Sequence, residues 1–333
     1  MKSETHIRLD HGEGGAASHR LITTLFLDHF GGQQVMEDAT VVPGSRRLAL
    51  TTDSFVVKPL EFPGGDIGKL AICGTVNDLA MMGAIPRYIT AGFILEEGLP
   101  IDVLRRIVRT MAQTARSADV TIVAGDTKVV GKGEVDQIFI NTAGVGFVPE
   151  GVDLSVGNCK SGDVILVSGG IGEHGIAVMV AREGFGISGD LRSDCAPLAS
   201  LARTLVELVP SVKAMRDVTR GGLATVMVEI SQSSKVGIEL DESAIPVRKP
   251  VKAACGLLGL DPLYVACEGR LVAIVPESDA GQALEVLRSH PDGKDSAQIG
   301  KVVAGSQGVY LATLSGGHRP LIMLEGSQLP RIC

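Results

Sequence analysis

The sequence predicts a mixed α/β (α+β) chain folded as two units. Three observations carry this. Strand-like and helix-like stretches alternate through most of the chain, as in α/β or α+β packing. Its 333 residues suffice for two domains of ordinary size. A polar, Gly-containing stretch at 151–162 divides the elements into two sets. The expected division is an N-terminal segment 1–45, a first domain 46–150, a second domain 151–313 and a tail 314–333.

In order, residues 1–45 are polar and Gly-rich, with His11-Gly12-Glu13-Gly14-Gly15 ahead of one helical stretch over 17–30. A strand over 48–52 ends at Asp53-Ser54. The glycines of Gly64-Gly65-Asp66-Ile67-Gly68 make a loop before a helix over 69–83. Residues 87–95 read as a strand. Ile101, Leu104, Ile107, Val108 and Met111 recur at helical spacing over 101–117. A strand over 120–124 is expected to stop at Gly125-Asp126, and a longer one follows over 137–148. The second unit reads as a strand over 164–167, a loop over 168–172 and helices over 174–182 and 197–208. The segment Met215-Arg216-Asp217-Val218-Thr219-Arg220-Gly221-Gly222 then opens a helix over 223–231. A strand (236–240), a helix (249–258), a strand (271–275), a helix (278–289) and a hairpin pairing 299–303 with 309–314 close the unit.

The tail is expected to be mobile. Ser315-Gly316-Gly317-His318-Arg319-Pro320 reads as a turn and Leu321-Ile322-Met323-Leu324 as a short apolar run. Pro330, with fixed φ and no N–H, discourages helix or central strand near the last residue, Cys333. Twenty extended residues reach at most about 65 Å, so the tail can carry the Cys333 thiol to a distant site.

Composition excludes several functions. The net charge is −7, there is no Trp and aromatics are 3%, so a nucleic-acid partner is not expected. No apolar run approaches the roughly 18 residues of a membrane span. The first residues carry charges and glycines in place of an apolar core, so no secretory signal is expected. Six scattered cysteines without a CxxC pair suggest reduced thiols in the cytoplasm and argue against a Cys-rich metal site.

Carboxylates at strand ends beside Gly-rich turns suit a magnesium–nucleotide site, because magnesium takes hard oxygen ligands and keeps substrate phosphates in its shell. Asp53, Asp78 and Asp126 are the expected metal ligands; singly, each also suits a turn or helix cap. Gly64-Gly65-Asp66-Ile67-Gly68-Lys69 approaches a phosphate loop but is too short for a Walker motif, and Leu70 stands where a hydroxyl would bind the metal. Gly125-Asp126-Thr127-Lys128 groups a carboxylate, a hydroxyl and an ammonium; Lys128 suits a developing oxyanion. Glu268, in the apolar Ala266-Cys267-Glu268-Gly269, suits a base of raised pKa, or a partner for Arg270. Gly170-Ile171-Gly172-Glu173-His174-Gly175 matches GxGxxG, yet the helix-rich chain after it is not a run of parallel βαβ units. A tight strand–helix turn is expected there, not a dinucleotide site.

Five motifs in order carry a resemblance. They are Phe62-Pro63-Gly64-Gly65-Asp66-Ile67-Gly68-Lys69-Leu70, Cys73-Gly74-Thr75-Val76-Asn77-Asp78-Leu79-Ala80, Gly125-Asp126-Thr127-Lys128-Val129-Val130, Arg216-Asp217-Val218-Thr219-Arg220-Gly221-Gly222 and Pro330-Arg331-Ile332-Cys333. Together, from about His11 to Cys333, they resemble the HypE family of hydrogenase-maturation carbamoyl dehydratases, a branch of the PurM-like ATP-binding superfamily. The resemblance implies a two-domain PurM-like fold with the N-terminal halves paired into a dimeric β-barrel. It implies that the C-terminal cysteine accepts a carbamoyl group from HypF and that ATP drives its dehydration to a thiocyanate. Cyanide then passes to iron on a HypC–HypD complex, for a [NiFe]-hydrogenase. On this chain it makes Cys333, Lys128 and Glu268 catalytic. Asp66, Lys69, Asn77 and Thr127 become nucleotide-binding, and Asp53, Asp78 and Asp126 magnesium ligands. Cys267 stands where the family usually has Asn, which alters the hydrogen bonding expected around Glu268. A thiamine-phosphate-type kinase would share the aspartates but has no use for Cys333. A non-enzymatic scaffold would not need intact acidic sites.

Overall fold

The structure, a computed structural model, describes residues 5–12, 16–31, 42–183, 190–305 and 307–324. Two short helices, α1 (Ala16–Leu21) and α2 (Leu27–Phe30), are joined by a π-helical turn over Ile22–Phe26. Then come β1 (Leu48–Phe55), the two-residue strands β2 (Glu61–Phe62) and β3 (Gly65–Asp66), α3 (Ile67–Met81), β4 (Ile85–Glu96), α4 (Ile101–Ser117), β5 (Thr121–Val130) and β6 (Ile138–Phe147). The four long strands form one sheet in the order β1-β6-β4-β5, antiparallel except for β4 with β5.

Alternation assigns the faces of this sheet. Ile138, Ile140 and Thr142 of β6 are buried, whereas Phe139, Asn141, Val145 and Phe147 face outward and are at least partly exposed. The α4 spacing is realised: Ile101, Leu104, Ile107, Val108 and Met111 are all buried. Helix α3 is buried almost all round, because it lies between the first sheet, α4 and the second half of the chain.

The second half contains β7 (Asp163–Val167), α5 (Glu173–Glu183), α6 (Ala199–Leu208), β8 (Ala214–Asp217), α7 (Gly222–Ser234), β9 (Gly237–Asp241), α8 (Lys249–Leu258), β10 (Leu271–Pro276), α9 (Ala280–Ser289), β11 (Ala297–Val303), β12 (Gly308–Ala312) and β13 (His318–Leu321). Its seven strands run β13-β12-β9-β11-β7-β10-β8. Every residue of β7 is buried. One apolar cluster involving α7 and another involving α6 and α9 cover the two faces of the sheet.

Four expectations change. Strand β5 does not stop at Gly125-Asp126; β4 continues to offer partners, pairing Ala91 with Gly125 and Glu96 with Val130. The segment before α7 is itself a strand, β8, at the sheet edge. Strands β11 and β12 are not a hairpin, because β9 lies between them, antiparallel to β11 and parallel to β12. Part of the expected tail joins the sheet: β13 pairs with β12, Leu321 opposite Val309. Residues 325–333, including Cys333, lie outside the described residues.

Helices α3 and α4 touch at Gly68, where an added Cβ would sit 2.5 Å from the Ile107 carbonyl oxygen. Helix propensity alone favours Gly68→Ala by about 1 kcal/mol, but the obstacle is backbone and cannot rotate away. The substitution is expected to cost a net ~1–3 kcal/mol, read as a lower urea midpoint; a raised midpoint would contradict this packing.

Candidate active site

A cleft of about 620 Å³ opens between the two halves. Alternation along β1 turns Thr51 and Asp53 toward α3, on whose last turn Asp78 lies. The Thr51 hydroxyl donates to Asp78 Oδ2 at 2.6 Å. From the other half, Asp217 ends β8, opposite Leu271 at the start of β10, and Glu268 lies in the loop just before β10. All four carboxylates, Asp53, Asp78, Asp217 and Glu268, line this cleft.

Burial and proximity together shift the acidities of Asp53, Asp217 and Glu268. Burial, then the Asp78 charge, raises Asp53, while Arg220 opposes the rise. Burial with Asp78 and Asp53 pushes Asp217 to about 7, against Arg216. Glu268 is held well above the usual carboxylate range by burial first and then by Cys195, Asp217, Asp194 and Asp53. Two guanidiniums answer this charge. Arg220 meets Asp53 Oδ1 at 3.3 Å, and Arg216 is paired with Glu229 at 2.7 Å.

The Glu268 loop is held from two sides. Asn77, buried on α3, donates through Nδ2 to the carbonyls of Ala196 (3.1 Å) and Glu268 (3.3 Å) and accepts from Leu198 N–H at 2.7 Å. Asp194, fully buried, accepts from the N–H groups of Glu268 (3.3 Å) and Gly269 (3.2 Å). Burial raises Asp194, with Arg270 and these amides opposing. Arg270 also bonds Glu173 at 2.7 Å and the Gly170 carbonyl at 3.0 Å.

The structure thus redistributes the expected residues. Asp53, Asp78 and Glu268 come together. Asp126 does not join them within one chain: β5 and β1 are opposite edges of the sheet, three strand spacings or about 14 Å apart. The row Ser54, Asn141, Gly92, Asp126 runs across the sheet, so Asp126 faces away from the side that carries Asp53. Lys128, opposite Ile94, shares that outward face, is exposed and does not line the cleft that holds Glu268; Thr127, opposite Phe93, faces inward. Asn77 directs its amide onto the clamp. Asp66 caps α3, accepting from Lys69 N–H at 2.8 Å, and burial raises its pKa first of all. Lys69 turns back onto the Gly64 carbonyl at 2.9 Å. That loop is twelve residues from Asp78 along the helix, about 18 Å. The GxGxxG segment is a packed turn: Ile171 N–H bonds Pro246 O, Gly172 N–H bonds Cys267 Sγ, and Gly175 N–H bonds Ala266 O. Cys267 thus serves as a buried acceptor. Asp217 escaped the sequence reading as a ligand, although it sits in one of the resembling motifs; only the fold places it beside Asp53 and Asp78.

Known proteins carry the same arrangement of chain. Residues 36–148 match the AIR synthase related N-terminal domain and residues 160–311 its C-terminal domain. Carbamoyl dehydratase HypE of Escherichia coli K12 is 50% identical over 336 residues, covering 98% of this chain and 99% of the relative. The chain belongs to the HypE family. A crystal structure of hydrogenase maturation protein HypE in complex with ATP superposes with a TM-score of 0.95 at 48% identity, covering 98% of this chain and 99% of the other. The HypE chain of a HypE–HypF complex matches at 0.81 and 49% identity, covering 93% of this chain and all of that one (100%). The family's fold is the α/β PurM-like one described above.

The cleft's donors suit a hard divalent cation in kind, being carboxylates from both halves, with Asp53 and Asp217 raised by burial first and then by neighbouring carboxylates. Among the described residues no three acidic, His or Cys side chains close on one point, so enclosing an ion takes side-chain rotation. Binding must also displace the proton from Asp217. Manganese affinity, measured without nucleotide, is therefore expected to rise with pH up to about 7, by at most ~10-fold per unit, and to level off above it. Asp217→Asn should weaken binding and flatten this profile; a flat wild-type profile below pH 7 would contradict the assignment.

Proposed function

We propose that this chain is an ATP-dependent carbamoyl dehydratase, converting an S-carbamoylated Cys333 to a thiocyanate that supplies the cyanide ligand of a [NiFe]-hydrogenase. The observation that carries the reading is the cleft in which Asp53, Asp78 and Asp217 face the buried Glu268. The overall change removes the carbamoyl oxygen and both nitrogen protons, giving thiocyanate, ADP and phosphate. Magnesium–ATP, when bound, supplies the phosphoryl group that makes the oxygen a leaving group. Asp53, Asp78 and Asp217 hold the cation. Glu268, with its raised pKa, is a strong base once ionised and takes a proton from the carbamoyl nitrogen. Asn77 and Asp194 hold the Glu268 backbone while it does so.

The tail leaves the body close to this site. Tyr264 Oη donates to the Ile322 carbonyl at 3.0 Å and accepts from Ile322 N–H at 3.3 Å. Tyr264 is four residues before Glu268. Cys333 is eleven residues beyond Ile322, an extended reach of at most about 40 Å. The reading takes 46–150 and 151–313 as the two domains and 314–333 as the tail.

It extends to partners. The outward face of the first sheet exposes Leu48, Leu50 (72%) and Ile94, an apolar surface suited to pairing two copies into a closed barrel. Asp126 and Lys128 lie on the outward face of that sheet's edge strand and serve the nucleotide across the pair, with Thr127 between them facing inward. HypF loads the carbamoyl group, HypC–HypD accepts the cyanide, and the setting is cytoplasmic. No described helix is long and apolar enough to cross a membrane.

Intact-mass analysis tests the reaction. With HypF and its substrates the chain should gain one carbamoyl group, then lose one water on addition of Mg-ATP; Cys333→Ala should gain nothing. Glu268→Gln should still be loaded but dehydrate ~10²–10⁴-fold more slowly. Loading that ATP never converts in the wild-type chain would sink the reading.

A further inference from the structure

The acidic cleft holds a cation of its own, whose base is fixed and whose head is free. Arg220 stands on the turn between Asp217 of β8 and the first residue of α7. Both following glycines are left-handed, Gly221 at φ 77° and Gly222 at φ 63°. A Cβ on Gly222 would lie 2.6 Å from Leu263 O and 2.8 Å from Val265 O. The turn is therefore pressed against the backbone that leads to Glu268, and the Arg220 Cα is held in place. Its side chain, by contrast, is 72% exposed and makes the single 3.3 Å contact with Asp53 Oδ1. Arg216, the other guanidinium on the cleft wall, is committed to Glu229 at 2.7 Å.

An exposed ion pair of this kind is weak, and a divalent ion on Asp53 outcompetes it. Once the carboxylate is so occupied, the guanidinium loses its partner while its base stays above the cleft. The nearest new anion is then the phosphate chain of the nucleotide, for which a planar guanidinium is well shaped. We infer that Arg220 guards Asp53 in place of the cation and swings onto the terminal phosphate of ATP when the cation arrives, stabilising the charge of phosphoryl transfer. The inference rests on the proposed cation–nucleotide reading of the cleft and gives that reading a residue it did not contain.

The guard and the phosphate contact leave separate signatures. Without nucleotide, Arg220→Gln should bind Mn²⁺, measured by electron paramagnetic resonance of the free ion, ~2- to 5-fold more tightly than wild type, since a competitor is gone. A merely structural role would not tighten binding. With carbamoylated protein, the same variant should turn over ATP at least ~100-fold more slowly while its Kd for ATP changes far less. Arg220→Lys should restore wild-type Mn²⁺ affinity but only part of the turnover, because an ammonium lacks the bidentate fork. Unchanged or weaker Mn²⁺ binding by Arg220→Gln, or full turnover by it, overturns the inference while leaving the cleft reading intact. A wild-type chain that binds no Mn²⁺ and consumes no ATP overturns both.

Discussion

One buried side chain joins the two halves at the point where chemistry is expected. Asn77, on the central helix α3, spends both amide protons and one oxygen lone pair on the backbone of Ala196, Leu198 and Glu268. An unpaired buried amide costs roughly 1–3 kcal/mol per group, so the halves cannot slide without breaking several bonds at once. Asp78, the next residue on α3, is thereby held facing the Glu268 loop. The site exists because neighbouring residues of one helix do two jobs, one holding the other half and one lining the cleft.

The same joint concentrates charge. Carboxylates from β1, α3, β8 and the Glu268 loop meet in one cleft, and burial adds to their mutual repulsion. Such a cluster stores an unfavourable energy that a cation or a proton relieves. Here burial, and then neighbouring acidic groups, raise the pKa of Asp217 and Glu268, and Arg220 pairs with Asp53. In the proposed reading, a divalent ion takes the place of the proton on Asp217 and of the Arg220 contact with Asp53.

Much of this was legible in the sequence, for identifiable reasons. Helix α4 followed directly from apolar spacing, and α8 was bounded by Pro250 and the left-handed Gly259. Asp53, Asp78 and Glu268 stood out as lone acids beside glycines or in apolar surroundings. What failed depended on pairing between distant strands. Nothing local says that β4 carries β5 past Asp126, that β9 separates β11 from β12, or that β8 brings Asp217 to the cleft. Asp126 and Lys128 therefore looked like neighbours of Asp53 and Glu268, whereas sheet order puts them on another edge and face. Nor does anything local say that Asn77 is buried and bonds the backbone of the other half.

The central claim is that both halves share one cation through Asp53, Asp78 and Asp217. Anomalous diffraction from crystals grown with Mn²⁺ and a non-hydrolysable ATP analogue tests it most directly. The account predicts a peak enclosed by those three carboxylates, with the Arg220–Asp53 contact broken. A peak in the Gly64–Lys69 loop, or none in the cleft, would contradict it.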